Sequence, residues 1–82
     1  MFRSRLSLMV AQKEHSERRK ITQGEIALRA GVSRATVNKW MGVEPMPRLD
    51  AQTVQALCSY LGCKLGDLVE IEPGQYEAVE AV

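Results

Sequence analysis

Apolar residues recur along the chain at the three- and four-residue spacing that is typical of helices with one buried face. Leu6, Met9 and Val10 follow this spacing near the amino terminus. The same spacing returns three more times, within residues 26–30, 37–41 and 54–61. The pattern predicts a first helix that begins near Leu6 and three further short helices behind it.

Residues that favour helix ends separate these runs. Thr22 precedes the second run and Glu25 follows three residues later, which is the spacing of a capping box. Ser33 and Asp50 occupy the N-cap positions of the third and fourth helices. Glycines end the second, third and fourth helices, at positions 31, 42 and 62. The segment LGDLV adds a last helical turn, whereas the two prolines of EPMPR predict a loop.

Two segments leave alternatives open. The polar stretch EHSERRK at 14–20 either extends the first helix or forms a long connection. Residues 69–71 are able to pair as a short strand with Met1, Phe2 and Arg3. We expect an all-α, compact bundle of about five short helices, with a possible short two-stranded pairing of the termini. Residues 1–72 are predicted to form the folded domain and 73–82 a C-terminal tail.

The glycine between the second and third helices has a geometric consequence. Two helices joined by a short turn that contains glycine cross at a steep angle, so their backbones approach closely. Ala27 provides the small side chain that this approach needs, and Val37 and Trp40 provide apolar contacts beneath it. We therefore assign structural roles in the motif to Ala27, Gly31, Val37 and Trp40.

The other side of the third helix is polar and short. It carries Ser33, Arg34, Ala35, Thr36, Asn38 and Lys39, and no acidic residue occurs from 33 to 41. A major groove about 12 Å wide admits one helix, and side chains of this kind read base edges. The sequence favours recognition of double-stranded DNA over an ordinary helical hairpin with a solvated face.

Charge is unevenly distributed along the chain. Residues 1–48 contain ten Lys and Arg residues against four acidic residues, whereas residues 49–82 contain one lysine against six acidic residues. One basic face would attract a polyanion, although two solvated faces would give the same composition. Few aromatic residues are present for stacking on RNA bases, which disfavours RNA.

Other classes of function find little support in 82 residues. His15 is the single histidine, and no nucleophile with a base at motif spacing or phosphate-binding glycine loop is present, so we expect no enzyme, cofactor or small-molecule substrate. No apolar run reaches about 18 residues, so we expect no membrane span and a cytoplasmic protein. Cys58 and Cys63 are predicted to pack as small apolar residues, not to bind metal or form a disulfide.

The segment TQGEIALRAGVSRATVNKWMG resembles the helix-turn-helix of the Cro/cI-type, Xre-like and lambda-repressor-like regulators. The following PMPRLDAQTVQALCSYLGCKLGDLVE is similar to small stand-alone members of that family. The resemblance implies a sequence-specific, double-stranded DNA-binding transcriptional regulator that acts as a repressor. Such a regulator is expected to be a homodimer on a two-fold symmetric site. The alternative is an antitoxin-like regulator that acts on a protein partner through the acidic tail.

The resemblance also implies residue roles. Positions that read bases match Arg34, Ala35, Asn38 and Lys39. Positions that contact phosphate match Gln23, Ser33 and Thr36, and the loop residue Arg48 matches a cation that approaches the DNA backbone.

The chain departs from the family pattern at two places. Met41 stands where many members have an acidic residue that pairs with the first helix, which predicts apolar packing in place of a buried ion pair. The connection before the second helix is expected to be about six residues longer than usual. It holds Arg18, Arg19 and Lys20, which form either further phosphate contacts or an ordinary solvated loop.

Overall fold

Five helices and two short strands make up residues 1–71, the part of the chain that this computed structural model describes. In chain order they are β1 (Phe2–Ser4), α1 (Leu6–Glu17), α2 (Gln23–Ala30), α3 (Arg34–Met41), α4 (Ala51–Leu61), α5 (Leu65–Leu68) and β2 (Val69–Ile71). The predicted bundle of five short helices with paired chain ends is confirmed. The tail at 73–82 lies outside the described residues, so the domain division and the tail-dependent alternative function stay predictions.

Three predicted caps begin α2, α3 and α4. The side chains of Thr22, Ser33 and Asp50 each accept a hydrogen bond from the backbone N–H three residues later, at 3.1, 3.0 and 2.9 Å. Bonds from the Thr53 hydroxyl and then the Thr53 N–H hold the pKa of Asp50 below its ordinary value. These local bonds satisfy N–H groups that the helices themselves leave open.

The predicted capping box at the start of α2 is only half formed. Thr22 accepts from the Glu25 N–H, but the Glu25 carboxylate is bound to the Arg19 guanidinium at 2.7 and 2.9 Å. A bidentate, doubly charged pair is stronger than a single bond to a backbone N–H. The second half of the capping-box prediction is therefore wrong, because Glu25 has a better partner.

The core lies where α1, α2, α3 and α4 meet. Its buried apolar residues are Leu6, Val10, Ile21, Ile26, Ala27, Val37, Trp40, Met46, Leu57, Leu68 and Val69. No charged side chain of residues 1–71 is buried, and Met41 packs against this core. The expected apolar packing of Met41 is confirmed. None of the helices in residues 1–71 has the length and hydropathy of a membrane-spanning segment.

The polar stretch after Val10 extends α1 instead of forming a long loop. α1 ends at Glu17 and the connection to α2 is residues 18–22, so the expectation of a connection about six residues longer than usual is wrong. Glu14 orders this connection, since its backbone carbonyl accepts the Arg19 N–H and its carboxylate accepts the Ile21 N–H at 2.8 Å. Residues 14–17 of the polar stretch therefore belong to α1, and residues 18–20 to the connection.

The two short strands pair as predicted, with a shift of one residue in the first strand. β1 is antiparallel to β2 and Phe2, Arg3 and Ser4 face Ile71, Glu70 and Val69. The expected strand at 1–3 therefore lies at 2–4. Ser4, at the end of β1, is also held by its side chain, because its hydroxyl donates to the Trp40 carbonyl at 2.6 Å and accepts from the Leu6 N–H at 3.1 Å.

The loop after α3 contains a contact that the sequence analysis missed. Met46 is buried, and its N–H and carbonyl exchange hydrogen bonds with Phe2 at 2.7 and 2.8 Å. The two prolines on either side rule out regular structure, but Met46 keeps its own N–H. This bridge ties the loop to β1.

Candidate nucleic-acid interface

The turn between α2 and α3 is closed by two hydrogen bonds to one carbonyl. The N–H groups of Gly31 and Val32 donate to the Ala27 carbonyl at 2.9 and 3.1 Å. Gly31 has a φ of 77°, which glycine adopts at low cost. Ala27 is buried, and Val37 and Trp40 are buried on the inner face of α3. These residues fix how α3 leaves α2 and which of its sides faces solvent.

The outer side of α3 presents four exposed side chains without a carboxylate among them. They are Arg34, Ala35, Asn38 and Lys39. Ser33 is also exposed, but its hydroxyl accepts the Thr36 N–H at 3.0 Å and donates to the Thr36 hydroxyl at 2.8 Å. The two hydroxyl groups are thus engaged in capping α3, at the edge of the surface that the four side chains form.

Arg34 reaches back to the start of α2. A Cβ atom placed on Gly24 would lie 4.0 Å from the guanidinium carbon of Arg34 and 3.8 Å from the Thr22 hydroxyl oxygen. Arg34 therefore lies beside the turn that begins with Gln23, where the N–H groups of a helix favour an anion. Both distances are ordinary van der Waals contacts, so a small side chain at position 24 would be compatible with this approach.

Arg48 joins the same surface from the loop after α3. A cleft of about 350 Å³ separates α3 from the start of α4. Its lining includes Thr36, Lys39, Trp40, Met46, Arg48, Leu49, Asp50 and Thr53. The buried Met46 holds the loop in place, so Arg48 lines one cleft with three residues of α3.

The three basic residues of the α1–α2 connection differ in their surroundings. Arg19 binds Glu25 through both terminal nitrogens and Glu17 through Nε, at 2.7–2.9 Å. Glu17 also pairs with Lys13 at 2.8 Å. Hydrogen bonding to Arg19 lowers the pKa of Glu25, and hydrogen bonding first to Lys13 and then to Arg19 lowers the pKa of Glu17. The charge of Arg19 is therefore balanced by its neighbours.

Arg18 and Lys20 have no such partner. Neither forms an ion pair within residues 1–71, and both are exposed. Together with Arg19, they line an open concavity of about 730 Å³, whose other lining residues belong to the last turns of α1, namely Ala11, Glu14, His15 and Ser16. No residue of α3 lines this concavity. The phosphate contacts predicted for these two cations stay predictions.

The two thiols lie at the end of α4. The Cys63 N–H donates to the Cys58 carbonyl at 3.1 Å, in the closing turn around Gly62. Burial, and then the neighbouring Cys58, raise the pKa of Cys63 to about 11. Both cysteines are unpaired and pack against the core, and residues 1–71 hold no cluster of three or more potential metal ligands.

Comparison with known proteins agrees with this geometry. A model of the Cro/C1-type HTH DNA-binding domain matches residues 14–74. The match begins within α1 and includes the whole α2–α3 pair. A search of curated proteins gave no match. Since the matched span covers well over half of the chain, this protein belongs to the family of Cro/C1-type helix-turn-helix DNA-binding domains.

Proposed function

We propose that this DNA-binding protein is a transcriptional repressor that reads the major groove of a specific operator with α3. The observation that carries the proposal is the outer side of α3, which is exposed, free of carboxylates and fixed in orientation by the buried Val37 and Trp40. Binding across a promoter would exclude the transcription machinery from the DNA. The protein would act in the cytoplasm.

Each exposed side chain of α3 has a chemically suitable target. Arginine and lysine donate to guanine, asparagine forms paired bonds with adenine, and a short apolar side chain contacts the thymine methyl group. We assign these base contacts to Arg34, Lys39, Asn38 and Ala35. The nearness of Arg34 to the start of α2 supports a position where the base-reading surface meets the DNA backbone.

Phosphate contacts are proposed on both sides of this surface. Gln23 opens α2, where N–H groups and the helix dipole attract an anion. Arg48 stands across the cleft from α3 and would hold the other side. Ser33 and Thr36 are proposed to add hydroxyl contacts to phosphate. Such contacts position the protein without reading sequence.

A homodimer is part of the proposal. α3 has eight residues and offers four outward side chains, which limits the affinity and length of a single site. A dimer would read two half-sites about 34–36 Å apart. Leu65 and Ile71 are 50% and 60% exposed near the paired chain ends and are suitable contacts for a second copy.

Selection from a random double-stranded DNA pool tests the proposal directly. We expect an enriched motif with two-fold symmetry and a complex that contains two protein chains by analytical ultracentrifugation. Lys39→Glu should abolish binding to the selected duplex. Lys64→Glu reverses the same charge outside the α2–α3 pair and should bind almost as the parent does. Failure of the parent to enrich any motif would refute sequence-specific recognition.

A further inference from the structure

The side chain of Arg19 links the last turn of α1 to the first turn of α2. Three of its five N–H donors are occupied, two by the carboxylate of Glu25 and one by that of Glu17. The fork-shaped pairing with Glu25 is the geometry in which arginine binds a carboxylate most strongly. A DNA phosphate would have to displace these carboxylates before it could use the same donors.

The backbone that carries Arg19 is also fixed. The Arg19 N–H donates to the Glu14 carbonyl at 3.2 Å. Two residues later, Ile21 is buried in the core and its N–H donates to the Glu14 carboxylate. The backbone around Arg19 is therefore already ordered, so less conformational entropy is lost when its guanidinium group pairs with Glu25.

Glu25 lies where an unbalanced negative charge would oppose DNA. It is the third residue of α2, and Gln23 at the start of that helix is the proposed phosphate contact. Glu25 has a second, more distant partner in Arg29, at 3.6 Å. Without Arg19, the negative charge of the Glu25 carboxylate would be only partly balanced by Arg29. It would then repel the phosphate that Gln23 is proposed to bind.

We infer that Arg19 is a positioning residue of the DNA interface and not a phosphate contact. It holds the Glu25 carboxylate, neutralises it and braces the amino-terminal turn of α2 against α1. This inference rests on the proposed function. It separates Arg19 from Arg18 and Lys20, which are also exposed but have no carboxylate partner within residues 1–71.

A double-mutant cycle tests the inference. The variants of the cycle are Arg19→Gln, Glu25→Gln and the double variant that carries both changes. The matched control replaces Arg19→Gln by Lys20→Gln, alone and in combination with Glu25→Gln. Binding to the selected duplex and to a scrambled duplex is measured across salt concentrations, and thermal unfolding is followed for every variant. Arg19→Gln should weaken binding about three- to fivefold. Adding Glu25→Gln should restore affinity to within about twofold of the parent and keep the parent's salt dependence.

The outcomes separate the possible roles. A direct phosphate contact predicts that the double variant stays as weak as Arg19→Gln. That result overturns the inference. A general effect of added positive charge predicts that Glu25→Gln rescues Lys20→Gln equally well, which also overturns it. A parent that selects no motif refutes the proposed function instead, because the cycle then has no binding to compare.

Discussion

Enlarging Ala27 should show whether the α2–α3 crossing positions the DNA-binding surface. Its side chain is buried, and its carbonyl accepts both hydrogen bonds that close the turn. Ala27→Leu adds three carbons at this contact, and overpacking of this kind typically costs about 1–3 kcal/mol. For a chain of 82 residues, each 1 kcal/mol corresponds to about 4–8 °C in Tm. We expect the Tm to fall by about 4–24 °C.

DNA binding should fall further than unfolding alone explains. A shift of the Ala27 backbone displaces the turn and therefore changes where α3 lies. Losing even one good base contact costs about 1–3 kcal/mol, which is tenfold or more in Kd near the middle of that range. The assay combines circular dichroism with fluorescence anisotropy on the selected duplex, at a temperature where the variant is fully folded. Leu28→Ala is the matched control, because Leu28 is 83% exposed on the same helix. A variant with the parent's Tm and Kd would show that the crossing is not limiting.

Three further predictions use the same assays. Arg34→Ala should weaken binding to the selected duplex by about 1–3 kcal/mol and relax the consensus, whereas Arg48→Ala should weaken binding to all duplexes equally and reduce the slope of log K against log salt by about one. Equal losses on the selected and scrambled duplexes for Arg34→Ala would remove Arg34 from the base contacts. Gly66→Ala should stabilise the protein by about 0.4–1 kcal/mol, because nothing lies within 4 Å of the new Cβ. Gly31→Ala should destabilise the protein by about 1–2 kcal/mol, because the backbone of Gly31 has a positive φ. Asp50→Ala should lower the free energy of unfolding at pH 7. Because folding lowers the pKa of Asp50, the difference in stability between parent and variant should shrink as the pH falls from about 4 through the folded pKa. A difference that does not change with pH would contradict the capping role of the Asp50 carboxylate.

The helices and their ends were predictable because their determinants are local. Thr22, Ser33 and Asp50 each bond to an N–H three residues away, and Gly31 closes α2 onto Ala27. Such contacts depend only on residues that are neighbours in sequence. The fold and the exposed side of α3 followed from them.

The remaining features depend on contacts between distant residues or on competition between partners. Met46 is buried because Phe2 bonds to it across the chain, and nothing in EPMPR indicates that pairing. Glu25 had two possible partners, the N–H at the start of its own helix and the guanidinium of Arg19. Local spacing favours the first, whereas the strength of a charged, bidentate pair favours the second.

The anchoring of α3 at both ends has a consequence for the DNA. The turn at Gly31 fixes its beginning. In its last turn the Trp40 carbonyl accepts from the Ser4 hydroxyl, and just beyond its end the Val43 carbonyl accepts from Arg3. If α3 reads the DNA as proposed, a helix held in this way loses little conformational freedom on binding, but it also adapts little. Mismatch in shape must then be absorbed by the double helix. Base pairs that no side chain touches should therefore influence affinity through the ease with which they bend and twist.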